Sequence, residues 1–269
     1  MVTVATFTSV INQVLPEPYA GLFDGILFGT KQAVSKDLLD ALRTTGTSYL
    51  VVLNGMNISI LAGLSETTFL RFVSRRIASL LTVLIIIGFV WFVGITPSVL
   101  RAAIMSSLTL LAVALGRQKW TLFTYVLTIV IMLSVKPSWI GDLSFQISAL
   151  ATLGIILFAK KPAGKTENIK WFIYSLVKDN LRFTLSAQVF TIPLIFFTFG
   201  KISLVTPLTN LLIGWVITPL TAIGMVTAIA GWIFLPLGYL GGWVSWVFLE
   251  YLILMVQWTA KLPFASIGL

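Results

Sequence analysis

The chain of 269 residues contains no cysteine and no histidine. Without cysteine there is no disulfide and no thiolate ligand, and without histidine the commonest metal ligand and acid/base side chain is gone too. Charge is also scarce, at 10% of residues against about 25% in soluble domains. No Ser-His pair, no H-E-x-x-H pattern and no pair of membrane-embedded aspartates can be assembled from this sequence. An intramembrane enzyme would lack both nucleophile and base, so no catalytic role, no metal and no cofactor are expected.

What is present is apolar. Hydrophobic residues make up 58% of the chain and the mean hydropathy is +1.00, which places it among all-α, polytopic helical membrane proteins with the lipid bilayer as its solvent. Crossing about 30 Å of hydrocarbon takes about 20 apolar residues, and suitable runs fall at 48–64, 77–94, 97–115, 120–135, 143–159, 181–199 and 237–256. The stretch 202–235 is apolar but interrupted by Pro207, Asn210, Gly214 and Pro219, and is expected to form two short spans or a re-entrant hairpin. The total is about seven to nine membrane segments, broken or re-entrant helices included.

Lys and Arg set the orientation, because short cytoplasmic loops collect them. With the loop at 65–76 inside, eleven basic residues fall inside, among them Arg71, Arg75, Arg76, Arg117 and Lys119; Lys31, Lys36, Arg43, Lys136 and Lys201 fall outside. That puts the N-terminus outside, and the positively charged start of a cleavable signal peptide is missing. Val4, Phe7, Ile11 and Val14 recur at helical spacing, so residues 1–42 are expected to form amphipathic helices on the outer surface, with 43–269 as the membrane-embedded domain.

The most telling segment is the apolar run after Arg43, broken by Asn54-Gly55-Met56-Asn57. Unwound backbone at membrane depth survives only where protein or a wet cavity satisfies it, so Asn54, Gly55 and Asn57 are expected to line a path or site. Arg101 stands within the 97–115 run, where a charge costs about 2.5–3.5 kcal/mol at mid-bilayer; it either snorkels to the interface or contacts phosphate inside a pore. Gln146 and Gln188 are expected to hydrogen-bond between helices or to line the path, and Asn210, beside Pro207, ranks above them as a lining residue. Glu250, deep in the last span, is expected to be paired or protonated, and Asp142 to cap the helix that follows it.

Two basic features belong to the loop after 159. Residues 159–166, A-K-K-P-A-G-K-T, satisfy a relaxed phosphate-loop pattern, but the strand and nucleotide domain such a loop requires are missing. Residues 168–182 suggest a basic amphipathic helix at the inner surface; the alternative is that its basic groups, interleaved with Trp171 and Tyr174, receive single-stranded nucleic acid by phosphate pairing and base stacking.

The order G-I-L-F-G (25–29), R-T-T-G-T-S-Y-L (43–50), N-G-M-N-I (54–58), P-S-V-L-R-A-A-I-M (97–105), F-Q-I-S (145–148) and P-L-T-N-L-L (207–212) resembles the membrane-embedded competence region of ComEC-type DNA-uptake proteins. The resemblance implies a channel in the bacterial inner (cytoplasmic) membrane that carries single-stranded DNA into the cytoplasm during natural transformation. It also implies an external nuclease and a cytoplasmic motor or DNA-binding proteins as partners. Many relatives carry histidines where this chain has Tyr49 and Asn57, so a metal or proton role for that motif is not carried over. The family's oligonucleotide-binding-fold and metallo-β-lactamase-like domains find no room here, so the expectation is a minimal form or a membrane-core portion. A small-solute secondary transporter, which also uses broken helices, is the alternative, disfavoured by the lack of a repeat relating the two halves.

Overall fold

The computed structural model describes residues 3–30, 34–159, 169–263 and 265–268, with backbone alone for 169–176, 199, 201, 267 and 268. In chain order the elements are α1 (Val4–Val14), α2 (Tyr19–Phe28), α3 (Lys36–Thr44), a 3-10 turn (Ser48–Val51), α4 (Gly55–Phe69), α5 (Arg75–Val93), α6 (Pro97–Ala114) and α7 (Thr121–Val135). A second 3-10 turn (Pro137–Gly141), α8 (Leu143–Phe158), α9 (Ile169–Phe199), β1 (Lys201–Ser203), α10 (Thr206–Ile233), α11 (Leu235–Ala260) and β2 (Ser266–Gly268) follow. The all-α, polytopic expectation holds. Arg75–Val93, Pro97–Ala114, Val177–Thr198, Thr206–Ile233 and Leu235–Ala260 are long and apolar enough to cross a membrane, with Tyr19–Phe28, Thr121–Val135 and Leu143–Phe158 as shorter apolar helices.

Local chemistry fixes several boundaries. Pro97 opens α6, where its missing N–H costs nothing. Asp142 Oδ1 accepts from Phe145 N at 3.0 Å and caps α8, as its position suggested. Ser35 Oγ does the same for Leu38 N at the start of α3.

Three expectations change. The run 202–235 is neither two short spans nor a hairpin: Thr206–Ile233 is one helix with Pro219 inside it. Val216, Ile217 and Leu220 around the proline are fully or almost fully buried, so packing holds the turn that has lost its hydrogen bond. The run 48–64 is not one span, because only Gly55–Phe69 is α-helical, about 22 Å at 1.5 Å per residue. The surface helix at 168–182 and the span 181–199 are one continuous helix, α9. The phosphate-loop-like residues 160–166 lie outside the described residues.

The α10–α11 hairpin is the centre of the larger core. Gly231 and Gly238 face one another at its turn, where a Cβ on Gly231 would stand 3.1 Å from Gly238 Cα; small residues at such crossings let helix backbones close up. Val10 of α1 packs on Gly231 and Val14 on Gly238 and Gly242, and the Phe7 ring meets Phe28, Phe92 and Trp232. The apolar face of α1 is therefore spent on protein. At the open end, Thr206 Oγ1 donates to Thr45 O at 3.0 Å, Leu38 and Leu42 of α3 join the core, and β1 pairs antiparallel with β2. Helices α1 and α3 thus pack towards opposite ends of the α10–α11 hairpin, α1 at Gly231 and Gly238 and the end of α3 at Thr206. Between them α2 is buried along nearly its whole length, with Phe23 and Leu27 against Gly224 and Gly25 against Val51. A smaller core joins α4, α5 and α6 through Ile58, Ala62, Ile86, Val90 and Val99.

Candidate functional site

The chain leaves helical geometry where the sequence indicated, two residues earlier than expected. Val52 and Asn54 are extended (φ -126, ψ 131 and φ -127, ψ 175), and α4 has already begun at Gly55. Protein groups satisfy the unwound backbone. Asn54 Oδ1 accepts from Met56 N at 2.9 Å and caps α4, its Nδ2 donates to Tyr49 O at 3.2 Å, and Ser98 Oγ of α6 donates to Leu53 O at 3.1 Å. Asx capping of this kind is favourable by about 0.5–2 kcal/mol.

Asn57 points away from this break. It is 3% exposed, and its Nδ2 donates to Ile26 O of α2 at 2.8 Å. Ile26 O is one of the last four carbonyls of α2, which have no partner within their own helix. Asn57 is therefore a tie between α4 and α2.

Arg101 does not snorkel. It is 8% exposed, and Nη1 donates to Ser148 O of α8 at 2.6 Å. Its Nε is buried without a hydrogen-bond partner. Nη2 lies against the break: a Cβ at Gly55 would stand 2.9 Å from it and 3.0 Å from Ala102 Cβ. Gly55 is thus needed less for a turn than to leave room for a guanidinium. Tyr125 OH of α7 donates to Ala149 O beside the Arg101 partner, at 3.1 Å, so α6, α7 and α8 converge on one turn of α8.

The remaining candidates divide. Asn210 Oδ1 accepts from Tyr49 OH at 2.8 Å, so Asn54 and Asn210 are joined through Tyr49, a residue the sequence marked only as a departure from its likeness. Gln146 does not bridge helices; its Nε2 donates to Ile140 O at 2.8 Å and closes the 3-10 turn before its own helix. Gln188 is half-buried on α9, two residues from Ser186, whose carbonyl packs on Gly154, and the described bonds do not connect it to the break. Ser98 was missed as a contributor, although it stands in the P-S-V-L-R segment. Glu250 is paired as expected, Oε2 accepting from Tyr19 OH at 2.6 Å. A groove of about 450 Å³ between α4, α10 and α11, lined by Ala222, Val226, Ala230 and Gly241 among others, is apolar and contains none of the candidate residues.

Chemically, the cluster offers a buried guanidinium with donors to spare, a segment of non-helical backbone beside it and a tyrosine-asparagine pair. It contains no nucleophile with an adjacent base, and no group of three or more acidic residues able to hold a metal occurs among the described residues.

Residues 26–269 match the family model described as Competence protein. The chain is 26% identical over 209 residues to ComE operon protein 3 of Bacillus subtilis (strain 168), covering 76% of this chain. It spans about a quarter of that relative's length, 25%. No solved structure matches it.

Proposed function

Because the chain belongs to the Competence protein family, with residues 26–269 matched, we propose that it forms the membrane path by which single-stranded DNA enters a bacterial cell across the cytoplasmic membrane. The observation that carries this reading is Arg101, held inside a candidate span with Nη2 against the Gly55 break and Nε without a partner. A buried charge in a membrane helix is expensive and is retained where it serves a site. Guanidinium matches phosphate oxygens with paired donors, so Arg101 is suited to hand a phosphate from one side of the break to the other. Tyr49, joined to Asn210, adds an aromatic face of the kind on which bases stack.

Arg101 also accounts for the break. Continuous helix through 52–54 would carry the chain past α6 without leaving Leu53 O open to Ser98 or placing a glycine against the guanidinium. In this reading the unwound segment is a constriction element supported on one side by α6 and on the other by α2 through Asn57. An external nuclease that supplies the single strand and a cytoplasmic motor or DNA-binding protein that draws it in belong to the same proposal, since nothing in the described residues converts chemical energy. Deletion followed by scoring the cytoplasmic entry of labelled duplex DNA tests the reading. Loss of entry with normal binding at the cell surface supports it, and unchanged entry overturns it.

A further inference from the structure

Asp24 is the strangest side chain in the core. It sits in the middle of α2 at 3% exposure, its Oδ1 buried and without a hydrogen-bond partner. Every residue from Ala20 to Leu27 around it is buried. Among the described residues no Lys or Arg pairs with it; the acid before it on the chain, Glu17, accepts from Gly21 N through Oε2 at 3.2 Å. On α11 the titratable group facing α2 is Glu250, committed to Tyr19 OH. From α10, Gly224 packs against Phe23 and Leu27; neither α10 nor α1 carries a charged residue, and the titratable group of the Ser48–Val51 turn is Tyr49, whose OH donates to Asn210. Two buried hydroxyls in the same α10–α11 hairpin, Thr227 and Ser245, also lack partners.

An ionised carboxyl here would have one oxygen buried without a donor, and no Lys or Arg among the described residues pairs with it. The side chain is therefore at home in α2 only while it carries a proton. Helix α2 is also mechanically connected: two residues on from Asp24, Ile26 O holds Asn57 of α4, and Asn57 stands two residues from the Gly55 that makes room for Arg101. We infer that Asp24 is a proton-binding site whose occupancy controls the seating of α2, and through the Ile26–Asn57 bond the geometry of the break at 52–55. Protonated, Asp24 lets α2 rest against Gly224. Deprotonated, it carries a charge among the buried neighbours Phe23, Ile26 and Leu27, and α2 shifts to reach water, pulling on Asn57. The significance of that motion rests on the DNA-path reading above; the proton site itself does not.

Two measurements on the full chain in lipid nanodiscs test it, neither of which uses DNA. Dicyclohexylcarbodiimide adds across a protonated carboxyl in an apolar setting to give a stable N-acylurea that retains the whole reagent. Mass spectrometry is expected to find the adduct on Asp24 at pH 6 and several-fold less at pH 9, with none at that site in Asp24→Asn. Absence of the adduct at pH 6, or labelling as weak as at the exposed Asp37 and Asp40, overturns the assignment. In the second measurement, hydrogen exchange at residues 20–28 and 53–57 is compared at pH 6 and pH 8.5 after correction for intrinsic base catalysis. Native protein is expected to show a several-fold rise in exchange that Asp24→Asn and Asp24→Leu both abolish. A rise that persists in either variant overturns the coupling. A failed uptake assay with a positive adduct leaves the proton site standing and removes only the DNA path, so the two readings fail separately.

Discussion

Replacing Asn57 by Leu separates two roles that this residue can play. In the structure its side chain is 3% exposed and donates to Ile26 O at 2.8 Å. Gly29 N takes Gly25 O, and among the described residues no backbone amide reaches Ile26 O, so removing the Asn57 amide leaves a buried carbonyl without a donor. Such an orphan costs about 1–3 kcal/mol, while interhelical bonds in membrane proteins average about 0.6 kcal/mol and reach about 1.7. Leucine fills a similar volume, so little cavity term is added, and a net loss of about 1–2 kcal/mol is expected. At about 2–4 °C per kcal/mol for a chain of this size, the midpoint of thermal unfolding in detergent should fall by about 2–8 °C. Hydrogen exchange in α2 should rise together with it. Asn57→His retains an N–H donor and should recover most of the loss. If Asn57→Leu melts within about 1 °C of the native protein, the tie between α4 and α2 is energetically idle and the reasoning fails, whatever happens to DNA entry.

Four further outcomes follow from other contacts. Arg101→Gln should reduce DNA entry strongly and Arg101→Lys only in part, at equal protein level; unchanged entry in Arg101→Gln removes the phosphate role. Gly55→Val should abolish entry while insertion persists, because even a Cβ there stands 2.9 Å from Arg101 Nη2 and overpacking costs about 1–3 kcal/mol; normal entry would place the path elsewhere. Single cysteines at Ala5 and Asp40 should react from opposite sides of the membrane, since α1 and α3 occupy opposite ends of α10. The end with Lys36, Arg43, Lys201 and Lys261 should be the cytoplasmic one, because α1 and the α10–α11 turn carry no basic residue; labelling of both from one side would refute the arrangement. Gly46→Ala should lower the melting midpoint, because Gly46 has φ +68 beside Thr206 and Ser203 and a Cβ is penalised by about 1–2 kcal/mol there; an unchanged midpoint would show that this turn relaxes freely.

Apolar periodicity made the helices legible, and the cap at Asp142 and the interruption near Asn54 were legible because each rests on local chemistry. What stayed hidden depends on which face meets which neighbour. Nothing within 54–57 says that Asn54 turns back to Tyr49 while Asn57 turns out to α2, since both amides have the same donors and acceptors. Pro219 suggested a break because proline removes a backbone bond, yet the burial of Val216, Ile217 and Leu220 outweighs that signal. The charge count placed α1 and α3 on one side because it does not register that α2, at 10 residues, carries the chain from one towards the other through the core. Gln146 suggested interhelical glue, but a carbonyl six residues back was nearer.

The docking of α1 has a consequence for how the protein is made. Val10 and Val14 of α1 meet glycines at 231, 238 and 242, and Tyr19 of α2 meets Glu250 across a separation of 231 residues, so these helices pack on a hairpin synthesised long after them. At about 5–20 residues per second, α1 waits roughly 10–45 s for its seat. During that interval the Phe7 ring has Phe28 and then Phe92 beside it, while the Val10 and Val14 side of the face is left to the bilayer surface, and the amphipathic pattern that ends as a packing face begins as a holding station for the nascent chain.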